Sequence, residues 1–303
     1  AQVDMRAAGT ATAGDAEGDR HILVANLTGS GFDDTLTGDA LANRIDGGRG
    51  DDVIEGAAGD DVLIGGRGAD RITGGEGIDT ASYRSSATGV AVDMETASAG
   101  SGDAEGDVFE GIEIVEGSFH DDVLRGDAGD NVLRGGLGAD ALDGRDGIDT
   151  ADYSTSAEGV NVNLATGTGS GGDAEGDTLS NIERIIASLH ADSLIGDDAD
   201  NEFDGGYGDD WQDGGAGSDL YHFGIDSLND TIEESGDAAD TDVLQLGPGI
   251  TTADLSLVRE GDDLLVELER DEGFTTDTVR IVDHFVGTAE GIEELRFEDG
   301  TVW

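Results

Sequence analysis

From Gly29 to Ser82 the sequence divides without a gap into six units of nine residues: GSGFDDTLT, GDALANRID, GGRGDDVIE, GAAGDDVLI, GGRGADRIT and GGEGIDTAS. They share the frame Gly-Gly-x-Gly-x-Asp-x-U-x, where U is apolar, and blocks of four more units keep it at 117–152 and 187–222. A unit this short buries its one apolar side chain only against its neighbours, so the chain must stack as a solenoid. Glycine at positions 1, 2 and 4 allows a tight turn that visits φ > 0. The triplet x-U-x is a very short strand with one side chain inward. Two units make a circuit of 18 residues, and successive circuits stack in parallel. The expected fold is all-β, a parallel β-roll (β-solenoid).

A longer period lies over the first. Segments 83–116 and 153–186 are each 34 residues long and alike in detail, with Val90-Ala91-Val92-Asp93-Met94 matching Val160-Asn161-Val162-Asn163-Leu164. Their alternating apolar residues predict at least one strand in each. Both contain Gly-Asp-Ala-Glu-Gly-Asp, which also occurs at 14–19, so residues 1–28 read as a partial repeat segment and the chain as a piece of a longer one. From residue 223 the nonapeptide stops. Strands are expected at 242–246, 255–258, 264–268, 278–282 and 292–297, with larger apolar residues Phe274, Phe285, Phe297 and Trp303. An open solenoid end exposes strand edges, so 223–303 is expected to be a β-rich capping domain on the roll of 29–222.

Charge sets the chemistry. Seventy acids against 15 bases, none of them lysine, give a net charge of −55. Such a field repels polyanions, which excludes nucleic acid as a partner. No run of 18 apolar residues spans a bilayer. The absence of cysteine removes disulfides and thiol chemistry. A chain so acidic and so poor in large apolar side chains cannot fold unless something neutralises it.

The winding supplies a place for that. Position-6 residues 18 apart fall one above another, giving the ladders Asp34–Asp52–Asp70 and Asn43–Asp61–Asp79 in block one. Block two pairs Asp122 with Asp140 and Asn131 with Asp149, and block three pairs Asp192 with Asp210 and Asn201 with Asp219. Carboxylates facing one another at the strand spacing of about 4.8 Å repel unless a cation lies between them. Together with carbonyls of the glycine turns they form an all-oxygen site that suits Ca²⁺. Counting facing pairs gives at least about eight ions. Asn43, Asn131 and Asn201, each with Asp at position 2 of its unit (Asp39, Asp127, Asp197), read as a weaker variant turn. The acid triplets Asp15/Glu17/Asp19, Asp103/Glu105/Asp107 and Asp173/Glu175/Asp177 are additional candidate ligands, with a solvated acidic loop as the alternative.

This nonapeptide resembles the RTX (repeats-in-toxin, haemolysin-type) calcium-binding repeat, over about 29–222. The ending Phe297-Glu298-Asp299-Gly300-Thr301-Val302-Trp303 resembles the C-terminal domain common after such repeats. The resemblance implies Ca²⁺ between adjacent turns in a secreted bacterial protein exported by a type I machinery, folding outside the cell and serving as a structural or interaction module. It also fits an accessory module of a secreted enzyme (metalloprotease, lipase or polysaccharide epimerase), or an adhesin segment binding surface glycans.

Catalysis finds no support in the sequence. Among 70 acids any carboxylate pair is uninformative, and His21, His120, His190, His222 and His284 form no HExxH motif. There is no GxSxG or Walker loop. Tyr83 and Tyr153 recur 70 residues apart and read as packing residues, while Trp211, Tyr207 and Tyr221 read as filling a widening end of the roll, with stacking on a sugar as the alternative. The expectation is a binding module, not an enzyme.

Overall fold

The computed structural model describes residues 2–4, 25–234, 240–268, 277–286 and 291–303. The chain packs as two compact units, Ala1–Asp149 and Thr150–Trp303. The C-terminal region thus packs within the second unit together with the third nonapeptide block.

In the first unit the apolar triplets form two stacks of parallel strands. One begins with Gln2–Asp4, Thr35–Thr37, Val53–Ala58 and Arg71–Glu76. The other runs Asn26–Thr28, Arg44–Arg49, Val62–Arg67, Thr80–Ser82, Ile114–Glu116 and Val132–Arg134. The inward residues Leu36, Ile54 and Ile72 line up in one column and Ile45, Leu63 and Ala81 in the other, all buried. Burying each Leu or Ile contributes roughly 1.5–3 kcal/mol. These columns are the core.

Four strands of block one run six residues, longer than the expected triplet, because pairing continues through the first three positions of the next unit. Gly48 pairs with Gly66 and Ala57 with Gly75. Position 2 lies in the left-handed region there (φ 100° at Gly48, 94° at Gly66). A Cβ on Gly66 would also overlap the Gly48 carbonyl oxygen, so glycine is demanded by space as well as by φ.

Segment 83–116 is a detour that rejoins the stacks. Ile114–Glu116 continues one stack directly on Thr80–Ser82. In the other, Val108–Glu110 pairs parallel with Arg71–Thr73, and Ser98–Gly100 then pairs antiparallel with both Val108 and Ala91–Asp93. Ala91–Asp93 hands the register to Val123–Arg125. Val90, Val92 and Met94 are buried, as their alternation predicts.

The second unit repeats this plan, with Asn161–Asn163 pairing antiparallel to Thr168–Ser170 and parallel to Ser193–Ile195. Its stacks do not end with the nonapeptides. Trp211–Asp213 pairs with Asn229–Glu233, which pairs with Asp277–Ile281. In the other stack Leu220–Phe223 pairs with Val243–Leu246, which pairs with Glu294–Arg296. The region after 222 therefore extends the roll and adds one antiparallel hairpin, Leu255–Glu260 with Asp263–Leu268, laid on Asp277–Ile281. Strands expected at 242–246, 255–258, 264–268, 278–282 and 292–297 are present within a few residues. Asn229–Glu233 is a strand that the sequence pattern does not predict. Gln212, in an inward position, is 1% exposed, and its strand is paired on both sides. Phe274 lies outside the described residues, as does most of 1–28.

Ala57 stands at position 2 with φ 89°, where an L side chain is strained. Ala57→Gly is expected to stabilise the chain in Ca²⁺ by about 1 kcal/mol in chemical denaturation. Arg145, at the same position with φ 77°, is held by Asp93 at 2.7 Å and Glu95 at 2.9 Å. Arg145→Gly loses those pairs and is expected to gain less.

Candidate metal centre

The position-6 side chains are buried in continuous columns. Asp52, Asp61, Asp70 and Asp79 are each at most 1% exposed. Each places one carboxylate oxygen on the backbone N–H of the position-6 residue one circuit earlier. The distances are 2.7 Å for Asp34 N–H to Asp52 Oδ1, 2.8 Å for Asp52 to Asp70 and 2.9 Å for Asp61 to Asp79. Asp122 and Asp140, Asn131 and Asp149, Asp192 and Asp210, and Asn201 and Asp219 are joined in the same way, at 2.7–2.9 Å. All fourteen position-6 residues thus stand where the period places them.

The second side-chain atom divides them into two kinds. In the first two units of every block it turns back onto its own turn. Ser30, Ser118 and Ser188 N–H donate to Oδ2 of Asp34, Asp122 and Asp192 at 2.5, 2.6 and 2.9 Å. Asp39, Asp127 and Asp197 N–H donate to Oδ1 of Asn43, Asn131 and Asn201 at 2.7–2.8 Å. The extra acids Asp39, Asp127 and Asp197 close turns of their own, accepting from Leu41, Gly129 and Ala199 N–H.

In the later units position 2 is left-handed, at Gly48, Ala57, Gly66, Gly75, Gly136, Arg145, Gly206 and Gly215, with φ between 77° and 125°. That conformation is associated with the loss of the own-turn bond. Oδ2 of Asp52, Asp61, Asp70, Asp79, Asp210 and Asp219 is buried with no hydrogen-bond partner. It lies over the position-1 glycine of its own unit. A Cβ on Gly47 would overlap Asp52 Oδ2 and sit 2.7 Å from the Gly65 carbonyl oxygen. At Asp52, Asp61 and Asp79 carboxylate and carbonyl oxygens therefore converge, and orphaned anionic oxygens of this kind fit a hard cation. The residue type at position 2 is the sequence signal that sorts the turns.

Burial, with repulsion from Asp70, pushes the Asp52 carboxyl up to about 7. Burial likewise pushes Asp61 and Asp70 to about 6, and Asp210 and Asp219 to about 7. These groups resist ionisation unless a cation accompanies it.

The columns also continue where the period fails. Asp70 N–H donates to Asp107 Oδ1 at 2.8 Å and Asp79 N–H to Glu113 Oε2 at 2.9 Å. Asp107 is 1% exposed, and its other oxygen accepts the Tyr83 hydroxyl at 2.9 Å. Tyr153 donates to Asp177 at the same distance. Tyr83 and Tyr153 are thus packing residues that each also hold a buried aspartate, which for Tyr83 is the column acid Asp107. The structure separates each described triplet: Asp107 and Asp177 are buried, Glu105 and Glu175 are exposed, and Asp103 faces Arg67 at 3.7 Å. Asp15, Glu17 and Asp19 lie outside the described residues. After the last repeat, Asp210 N–H donates to Asp230, Asp219 N–H to Asp242 and Asp242 N–H to Glu293, at 3.1, 2.9 and 2.9 Å.

A second ladder, which the nonapeptide frame does not announce, runs along position 5. Asp33, Asp51, Asp60, Asp121, Asp130 and Asp200 accept the N–H one circuit later, at 2.8–3.0 Å.

Turns built from glycine, carbonyl oxygens and buried aspartate columns define a calcium-binding β-roll. Comparison with known families matches the RTX calcium-binding nonapeptide repeat in four copies, at 28–63, 46–81, 116–151 and 186–221. Residues 273–303 match the haemolysin-type calcium binding protein related domain. The nonapeptide blocks are RTX repeats, and RTX repeats bind calcium. No curated protein matches the chain. Among solved structures, the crystal structure of extracellular lipase LipA from Serratia marcescens aligns at 16% identity, over 86% of this chain and 38% of that one, with a TM-score of 0.20. The chain spans well under half the length of that lipase chain, and no activity is read from the likeness. No helix among the described residues is long and apolar enough to cross a membrane.

The raised carboxyl groups set the sign of the pH response. A carboxyl whose folded pKa exceeds its unfolded value stabilises the fold below about pH 4 and loses that contribution as pH rises through about 6–7. Without Ca²⁺ the chain is therefore expected to gain β signal in circular dichroism on going from about pH 8 to about pH 5. Ca²⁺ binding, which needs the ionised form, is expected to release protons and to weaken over the same range, as read by calorimetry in buffers of different ionisation enthalpy. An affinity independent of pH would contradict the assignment.

Proposed function

We propose that the chain is a Ca²⁺-dependent folding module of a secreted bacterial protein. The position-6 residues Asp34, Asn43, Asp52, Asp61, Asp70, Asp79, Asp122, Asn131, Asp140, Asp149, Asp192, Asn201, Asp210 and Asp219 line its ion sites, one ion to each facing pair. Asp52, Asp61, Asp70, Asp79, Asp210 and Asp219, whose Oδ2 is buried and unpartnered, are the strongest ligands, and turns with Asn at position 6 are weaker. The observation that carries this reading is the buried, unpartnered Oδ2 over a glycine whose neighbouring carbonyl points at the same place. The ion supplies positive charge between the turns; the chain's residues supply the oxygens and the shape.

The biological logic follows from linkage. Binding energy at sites that exist only in the fold adds to folding energy. Scarce cytosolic Ca²⁺ leaves a −55 chain unfolded for type I export, and millimolar extracellular Ca²⁺ folds it on arrival. The folded roll then serves as a structural or interaction module, with 29–222 as the repeat roll and 223–303 as its closing region. Any catalytic part of a secreted enzyme would be carried elsewhere in a longer chain.

An adhesin role with glycan binding is favoured by one feature of the second unit. A groove of about 360 Å³ is lined by Tyr207, His222, Ile225, Gln245 and Pro248, with Tyr207 half exposed, as a ring that stacks on a sugar must be. Binding on a glycan array in Ca²⁺, abolished by Tyr207→Ala, is the expected result of that reading.

The module itself is tested by titrating the chain with Ca²⁺ and, separately, Mg²⁺ while following circular dichroism. A cooperative gain of β signal with Ca²⁺ and little with Mg²⁺ is expected, since Mg²⁺ demands a small octahedral site and keeps its waters. An equal response to both ions would contradict it.

A further inference from the structure

Beyond the last nonapeptide, three acids from two strand connections meet in the interior of the second unit. Asp219 is the position-6 residue of the final repeat, Glu234 follows the strand Asn229–Glu233, and Asp242 precedes the strand Val243–Leu246. They are 1%, 6% and 4% exposed, and one carboxylate oxygen from each lies within 4.8 Å of the other two. Glu234 and Asp242 fall outside both matched family regions, which end at 221 and resume at 273.

The hydrogen bonds around the cluster leave it short of positive charge. Asp219 Oδ1 accepts Asn201 N–H at 2.7 Å and Asp242 Oδ1 accepts Asp219 N–H at 2.9 Å. Glu234 Oε1 accepts the Tyr221 hydroxyl. Asp219 Oδ2 and Glu234 Oε2 are buried with no partner. No ion pair among the described residues joins any of the three to an arginine. Gly214 keeps the space open: a Cβ there would overlap both Asp219 Oδ2 and the Tyr221 hydroxyl.

We infer that Asp219, Glu234 and Asp242 form a further divalent-cation site, of Ca²⁺ size, that ties the last repeat to the C-terminal strands. Three carboxylates at this spacing in a buried site repel strongly, and an oxygen-only donor set selects a hard cation. Ca²⁺ completes six to eight oxygens from mixed sources, so a glutamate, two aspartates and nearby backbone or water oxygens suffice. Unlike a ladder site, whose two acids share one column, this one draws Glu234 from the opposite stack. Ion binding there locks the two stacks to each other at the point where the nine-residue period ends. The inference rests on the Ca²⁺ reading only for the identity of the ion.

The test uses the full chain and Ca²⁺ alone. By equilibrium dialysis, Glu234→Gln is expected to bind one ion fewer per chain than the unmodified protein, with the remaining sites unchanged. Asp61→Asn, in the first unit, serves as the control for loss of a ladder site and should leave the Glu234 site filled. Crystals of the unmodified chain grown in Ca²⁺ give a second readout that needs no variant: an anomalous difference peak among the three carboxylates supports the site. Ladder peaks without a peak there, or an unchanged ion count in a folded Glu234→Gln chain, overturn this inference and leave the repeat reading standing. No bound Ca²⁺ anywhere in the unmodified chain overturns both.

Discussion

Every feature of this protein depends on aspartates stacked face to face along the axis of the roll. Two carboxylates about 4.8 Å apart at an effective dielectric near 20 repel by about 3 kcal/mol. That is as much as one buried Leu or Ile contributes. Five of the eight facing pairs within the blocks set two aspartates together, and the columns add acid contacts beyond them, as at Asp70 with Asp107 and Asp219 with Asp242, so at neutral pH this repulsion offsets a large part of what the apolar columns contribute. A cation between the acids turns that repulsion into attraction. The low apolar content, the −55 charge and the small core are therefore one property seen three ways.

The glycines serve the same end by two distinct means. Position 1 is glycine because the position-6 carboxylate lies over it, as Asp52 does over Gly47. Position 2 is glycine because the backbone turns left-handed there, as at Gly66. Where position 2 is Ser or Asp the backbone stays out of the left-handed region there, and its N–H caps an oxygen of the position-6 side chain. The two opening units of each block are built this way throughout. Geometry and electrostatics thus grade the turns, with the open ones deeper in each block.

Much of this is legible in the sequence, because a nine-residue period fixes which residues stack. Leu36, Ile54 and Ile72, and Asp34, Asp52 and Asp70, stand in the columns that spacing alone assigns. What escapes it is continuity through irregular spacing. Asp70 meets Asp107 after 37 residues, Asp210 meets Asp230 after 20, and Asp219 meets Asp242 after 23. Loops of different length close the same circuit, and a periodic frame cannot register them. The position-5 ladder escapes for another reason: exposed aspartates in a polar turn look like solvated charge, and only the backbone shows that each holds the next circuit's N–H. Tyr83 and Tyr153 read as packing residues, and their hydroxyl bonds to Asp107 and Asp177 depend on a loop conformation that residue type does not reveal.

The most direct test is hydrogen exchange on the chain at neutral pH, with Ca²⁺ and after exhaustive dialysis against chelator. The amides of Asp52, Asp61 and Asp210, which donate to the carboxylate one circuit on, report on the columns themselves. Strong protection in Ca²⁺ that collapses to near the unfolded rate without it is the predicted result. Protection that survives removal of the ion would show that the stacked acids are tolerated unaided, and would contradict the account at its base.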